Sequence, residues 1–256
     1  TNLPAADMDG GPRICGGAID IGADEQSAPE LSPAAAKGLG TRYWGVCMRG
    51  LVVTISVDAG TFYAESEDRS SGIRVLKDAH GLAPGTKLDI QGWLETTADG
   101  ERCIRAALIT VTGSGNIEPL EMRGGHIGGG AWMWDSATGA GQQATRAYQF
   151  IPGPDGKMQR VLADLPGLNN LGMLVKLAGT IAKSGCTTTY CYLYLDDGSQ
   201  CDNFPSGVAG VRVILPAGST VLPSGTAVSA VGVVSCRKYL NEVMPQLICR
   251  SSADVA

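Results

Sequence analysis

Two stretches of this chain agree with one another in order at five places, and that internal repeat limits the possible folds more than any other feature. The first copy opens at Val46–Val52 and the second at Val175–Ile181, with Gly50 and Gly179 at the same point in each. Phe62–Asp68 is then echoed by Tyr192–Asp197, Gly72–Val75 by Gly210–Val213, Pro84–Leu88 by Pro223–Val228, and Arg102–Ile104 by Leu247–Cys249. The offset grows along the chain, as insertions in loops would make it grow. One such match arises easily by chance; five in order do not.

Alternation and β-branched or aromatic enrichment divide the first copy into strands at roughly 46–57, 61–66, 72–77, 86–95 and 102–112. Turn residues fill the gaps, at Asp58–Gly60, Ala83–Gly85 and Asp99–Gly100. A lone glycine inside the first strand of each copy predicts a bulge or sharp bend, which lets one long strand serve two sides of a barrel. The expected fold is therefore all-β: two tandem five-stranded OB-like barrels, with immunoglobulin-like sandwiches as the alternative, and an extended N-terminal arm. The expected units are an arm and tether at 1–40, a first barrel at 41–122, a Gly-rich connector at 123–168 and a second barrel at 169–256. The connector shows no clear period, and Trp132 and Trp134 are its expected packing anchors.

Among 256 residues, 20 Lys and Arg stand against 25 Asp and Glu, a net charge of −5. That balance argues against nucleic acid as a partner, because phosphate binding rests on clustered cations. Aromatic residues make up 5% of the chain, too few for a base-stacking groove. No run of 18 apolar residues occurs, so no insertion into a membrane is expected. Thr1 in place of an initiating Met predicts release from a longer precursor.

Eight cysteines, an even number without a Cys-x-x-Cys pair, favour disulfides over a zinc site and hence a secreted, extracellular protein. Cys47 and Cys103, alone in the first copy, are expected to pair if its first and last strands approach, and Cys236 is expected to pair with Cys249 across the last hairpin. Cys186, Cys191 and Cys201 then leave one thiol over, which parity assigns to Cys15, within one chain or between two.

Residues 7–25 hold Asp7, Asp9, Gly10 and Arg13, a short turn, then Asp20, Ile21, Gly22, Ala23 and Glu25. This order resembles the closing rung of the right-handed parallel β-helix in large secreted bacterial proteins of the pectate-lyase-like class. Phe62, Tyr63 and Glu65, the run Ser70–Val75, and Gly167–Asn170 resemble the tandem OB-like modules that follow such domains in bacterial surface proteins. The resemblance implies a modular extracellular protein. It carries no catalytic residue over, since the match covers only the closing rung.

A β-helix rung is stable only when stacked on neighbours. Ile14, Cys15, Ile19 and Ile21 are thus the expected subunit-contact residues, in an arm that either folds back on the first barrel or adds to a sheet edge of another copy. Donation to a like neighbour runs head to tail and generates open filaments unless it closes into a ring. The expected function is a non-enzymatic extracellular structural protein that self-assembles in this way. A carbohydrate-binding module of a processed cell-surface protein is the alternative, with polysaccharide as its partner.

Catalytic signatures are weak. His80 and His126 lie in loops with no Gly-x-Ser-x-Gly elbow beside them. Glu65, Glu67 and Asp68, and again Asp196, Asp197 and Asp202, could supply a carboxylate pair or a calcium site, but read better as strand-end and turn chemistry. Gly128–Gly130 lacks the Lys-Ser/Thr of a phosphate loop. Tyr190, Tyr192 and Tyr194 alternate onto one side of a strand, a sugar surface if that side is exposed and an interface stripe otherwise. No catalytic residue, metal ligand or cofactor is assigned from the sequence.

Overall fold

The computed structural model describes residues 28–41, 45–130, 132–203 and 207–256, together with the backbone of two short strands before them. Those strands are β1 (Ile14–Cys15) and β2 (Ala18–Ile19), followed by helix α1 (Pro33–Lys37). Five longer strands come next: β3 (Gly45–Asp58), β4 (Thr61–Ser66), β5 (Gly72–Leu76), β6 (Thr86–Thr96) and β7 (Arg102–Ser114). The middle of the chain holds β8 (Leu120–Glu121), β9 (Trp134–Asp135), β10 (Ala140–Gly141), β11 (Arg146–Pro152) and β12 (Met158–Asp164). The second copy supplies β13 (Leu174–Cys186), β14 (Tyr190–Asp196), β15 (Cys201–Asp202), β16 (Val211–Pro216), β17 (Ala227–Tyr239) and β18 (Glu242–Ile248).

The protein is all-β, with two multi-stranded sheets in tandem. Strands β3 to β7 pair in the order β3-β4-β5-β7-β6 and close into a barrel rather than splitting into two facing sheets. The second sheet runs β14-β16-β18-β17-β13-β8, and β14 also pairs with β13, so its five long strands repeat the neighbour relations of the first.

Gly50 behaves as its sequence predicts. The register between β3 and β6 shifts from Met48 to Leu51 around it, and its φ of +63° suits a residue without a Cβ. Gly179 differs: its register with Val228 is regular, and a Cβ there would stand 2.4 Å from the Asp196 carbonyl oxygen. It is small so that a neighbouring strand can come close, and the β13 irregularity falls at Ile181–Lys183 instead.

Face alternation reveals how deep the repeat runs. On β4, Phe62 and Ala64 enter the barrel core while Tyr63 joins a separate cluster outside it; on β14, Leu193 and Leu195 point inward. The cross-strand register pairs Tyr63 with Arg74 and Tyr194 with Arg212. The structural match is therefore Phe62 with Leu193, one residue on from the alignment that set Phe62 against Tyr192.

From Pro29 onward the expected tether belongs to the first barrel. Cys47 donates its N–H to the Pro29 carbonyl at 3.0 Å, and Leu31 donates to the Cys47 carbonyl at 2.9 Å. Ser32 caps α1 by accepting from the Ala35 N–H at 3.2 Å, Pro33 occupies the first turn, and Ala36 enters the barrel core. The connector is also more regular than its sequence suggests. β11 and β12 form a hairpin, and β11 pairs with β15 to complete a three-stranded sheet. Trp132 is half-buried against α1, with Lys37 Nζ 5.7 Å from its ring centre.

Candidate functional site at the junction of the barrels

Strand β3 is buried on both faces from Leu51 to Ile55, because each face meets a different neighbour. Leu51 and Val53 fill the first barrel, whereas Val52 and Ile55 join Tyr63, Ile117, Leu174 and Val233 in a cluster that spans the barrel and the second sheet. A polar clasp lies within this apolar seam.

Glu101 ends the connection between β6 and β7, where Thr97 donates its N–H to the Glu101 carbonyl. Its side chain is buried, and Oε2 accepts from Tyr63 Oη at 3.0 Å, Ser235 Oγ at 3.1 Å and Arg74 Nη1 at 3.2 Å. Tyr63 Oη and Ser235 Oγ also stand 2.9 Å apart. Each hydroxyl has one proton, so when both serve an ionised Glu101 their mutual contact has none. Burial raises the Glu101 pKa, against the pull of Arg74 and the hydroxyl donors, and pushes the Tyr63 hydroxyl well up. Glu101 Oε1 and Arg74 Nε have no hydrogen-bond partner among the described residues.

A second clamp grips both backbone polar groups of one residue, Leu174, in the second sheet. Glu65 accepts the Leu174 N–H at 2.9 Å and Arg69 donates to the Leu174 carbonyl at 2.9 Å, while the two side chains pair at 2.6 Å. Burial is the largest influence on Glu65 and raises its pKa. Lys37 donates to the Leu171 carbonyl at 2.7 Å from a fully buried position. Burial brings its pKa down to about 7, although Glu101 and Glu65 pull the other way. Beside these contacts the backbones of Gly72 and Gly172 nearly touch: a Cβ on Gly72 would lie 2.2 Å from the Gly172 carbonyl oxygen.

The edge of the junction opens into a cleft of about 570 Å³. Leu120 and Met122 come from β8 and the residue after it, Pro166–Asn170 and Met173 from the approach to β13, and Arg69 and Ser70 from the β4–β5 turn.

The carboxylates singled out from sequence do not converge. Glu65 is part of the clamp, Glu67 pairs with Lys87, and Asp68 accepts from the Ser70 N–H. Asp196 and Asp197 accept from turn N–H groups, and Asp202 is buried against Arg160. His80 bridges the Asp58 carbonyl and the Leu82 N–H, which assigns its Nε2 as donor and Nδ1 as acceptor. Tyr63, Arg74, Glu101 and Ser235 were missed, since four residues scattered over 172 positions of chain carry no local motif.

The cysteine pairing needs correction. Cys186 is joined to Cys191, its direct register partner, whereas Cys103, Cys201, Cys236 and Cys249 are buried and form no disulfide with one another or with Cys47 among the described residues. Cys47 faces Gln91 and Cys103 faces Glu95 on opposite edges of β6, so two strand spacings, about 10 Å, and a four-residue offset of about 13 Å along the strand separate them. Cys236 pairs in register with Pro245 while Ile248 pairs with Val233, which puts Cys249 about 13 Å further along the ladder. Both gaps exceed the span of about 7 Å that a disulfide can bridge. Ile14 and Ile19, and Cys15 and Ala18, are register partners in the β1–β2 pair. The side chains of Ile14, Cys15 and Ile19, and all of Ile21, lie outside the described residues.

Comparison with protein-family models and with curated proteins finds no match.

Proposed function

We propose that this chain is a non-enzymatic extracellular structural protein, a rigid two-barrel unit that joins copies of itself head to tail through its N-terminal arm. Both barrels read as OB-like, on the shared neighbour order first-second-third-fifth-fourth and the bulged first strand of the first copy. The observation that carries the assembly reading is that β1 and β2 make a two-stranded sheet of their own. An isolated two-stranded pair is marginal in water, so it gains most by adding to another surface. The Cys186–Cys191 disulfide supports an oxidising, extracellular setting. The likeness of residues 7–25 to a closing β-helix rung supports a segment suited to stacking.

Electron microscopy of the purified full chain tests the proposal, with a variant lacking residues 1–25 beside it. Polymers that vanish in the variant are expected. A full chain that stays monomeric at high concentration overturns the reading.

One feature favours the second reading, a carbohydrate-binding module. Tyr190 and Tyr192 are half-buried on the outer side of β14, and Arg212 donates to Tyr190 Oη at 2.8 Å, on a barrel face that OB folds use for oligosaccharides. Retention on insoluble polysaccharide that is lost in Tyr192→Ala would support it.

A further inference from the structure

We propose that the Cys186–Cys191 disulfide is a reducible latch on residues 182–186, the end of β13, and that a dithiol reductant frees this tail from β14 while the rest of the fold keeps its pairing. β14 stands at one end of the strand order of the second sheet and also pairs with β13, the last strand but one at the other end, so the β13–β14 hairpin joins the two. Toward its tip the join is thinly supported. The register of β13 with β17 ends at Thr180, its register with β14 is irregular between Ile181 and Lys183, and none of residues 182–186 is buried. β14 is held on its other edge by β16 along residues 190–195, and it buries Cys191, Leu193, Tyr194 and Leu195. The tail of β13 is therefore the side that can leave. Beyond the sulfur bond and the pairing with β14, a hydrogen bond of 2.8 Å from Ser184 Oγ to the Leu222 carbonyl helps to hold it.

Cys186 is exposed and Cys191 is buried. A thiolate of the reductant attacks the Cys186 sulfur, the S–S bond breaks, and Cys191 leaves as a thiolate that takes a proton from water. The second thiol of the reductant then attacks its own sulfur in the mixed disulfide, which gives the second protein thiol and a cyclic, oxidised reductant. Without the cross-link the tail regains the chain entropy that the closed loop denied it. Its departure bares the edge of β14 over residues 191–194 and uncovers Tyr192, against which Gly185 is packed: a Cβ on Gly185 would stand 2.9 Å from Tyr192 Oη. An open strand edge can pair with another chain, so reduction turns a sealed seam into an accepting one. The first copy has no such latch. Its hairpin turns between Asp58 and Thr61 without a cysteine, and β3 is buried from Leu51 to Ile55.

Hydrogen–deuterium exchange of the full chain at neutral pH, with and without dithiothreitol, tests the latch, and the mass gain of two hydrogens confirms reduction. Peptides spanning residues 182–189 are expected to exchange about tenfold faster, or more, once the bond is reduced. Peptides from β3, β4, β17 and β18 should keep their rates. Cys186→Ser, at an exposed position, should show the faster exchange without reductant and no further response to it. Unchanged exchange in the reduced chain would overturn the latch. So would a bond that dithiothreitol breaks only in urea, or an acceleration that spreads to the first barrel.

Discussion

Lys37 of the first barrel donates its side-chain N–H to the Leu171 carbonyl of the second at 2.7 Å, and the lysine is fully buried. Its pKa of about 7 in the folded protein, against 10.5 for an ordinary lysine, ties the junction to pH. Below pH 7 the group is charged in both states, and the cost of burying that charge is fully present. Between 7 and 10.5 the unfolded chain binds the proton and the folded one does not, so stability climbs as pH rises. The climb is about 2 kcal/mol from pH 7 to 9. From about pH 8 the thiols oppose it: burial raises the pKa of Cys103, Cys201, Cys236 and Cys249, so unfolded thiols release protons first and their share of stability falls. Urea unfolding across pH should therefore show a maximum between about pH 8 and 8.5, and Lys37→Met should remove the rising limb.

Glu101→Gln tests the clasp itself. Loss of the carboxylate charge leaves Arg74 without its buried counter-ion, for which a cost of about 3 kcal/mol is expected. Tyr63→Phe and Ser235→Ala should each cost about 1 kcal/mol. Because both hydroxyls serve one oxygen, the double variant should depart from additivity by at least about 0.5 kcal/mol. Strict additivity would show that the two groups act independently.

Gly72→Ala addresses the fit between the barrels. A methyl group there collides with the Gly172 backbone, which no rotamer change can relieve. Overpacking of this kind should cost about 2 kcal/mol or more and widen the particle in small-angle scattering. Gly45→Ala, at a position with nothing within 4 Å of the added carbon, should leave the scattering curve unchanged.

Thiol labelling checks the corrected cysteine pattern. Burial raises the pKa of Cys103, Cys201, Cys236 and Cys249, so little thiolate forms at pH 8. Iodoacetamide should leave these four unmodified in the folded protein and alkylate all of them after unfolding without reductant. Peptide mass mapping reads the difference. A Cys236–Cys249 disulfide peptide would contradict the strand register.

Much of each barrel is legible in the order of residues. The five strands of the first copy fall within two residues of the spans read from alternation, because side-chain period and turn chemistry are local properties. The β-branched and apolar run from Leu51 to Ile55, broken only by Thr54, is in keeping with burial on both faces. The short run Ser32–Gly38, by contrast, reads as part of a tether although its Ser-Pro start and alanines suit a capped helix turn; only its docking on the barrel stabilises five helical residues. The β11–β12 hairpin was likewise hidden, since its strands are largely exposed and show little apolar alternation.

What the residues determine by themselves is most of the content of the first repeat: its strands, its turns and the bulge at Gly50. What only the tertiary structure decided is which outward groups meet. Glu101 has no local feature to distinguish it from any acid beside a turn, and Ser235 none to distinguish it from a solvent-facing strand serine. Their roles arise when two sheets bring positions 134 residues apart into one buried site, where desolvation makes each charge and hydroxyl depend on the others.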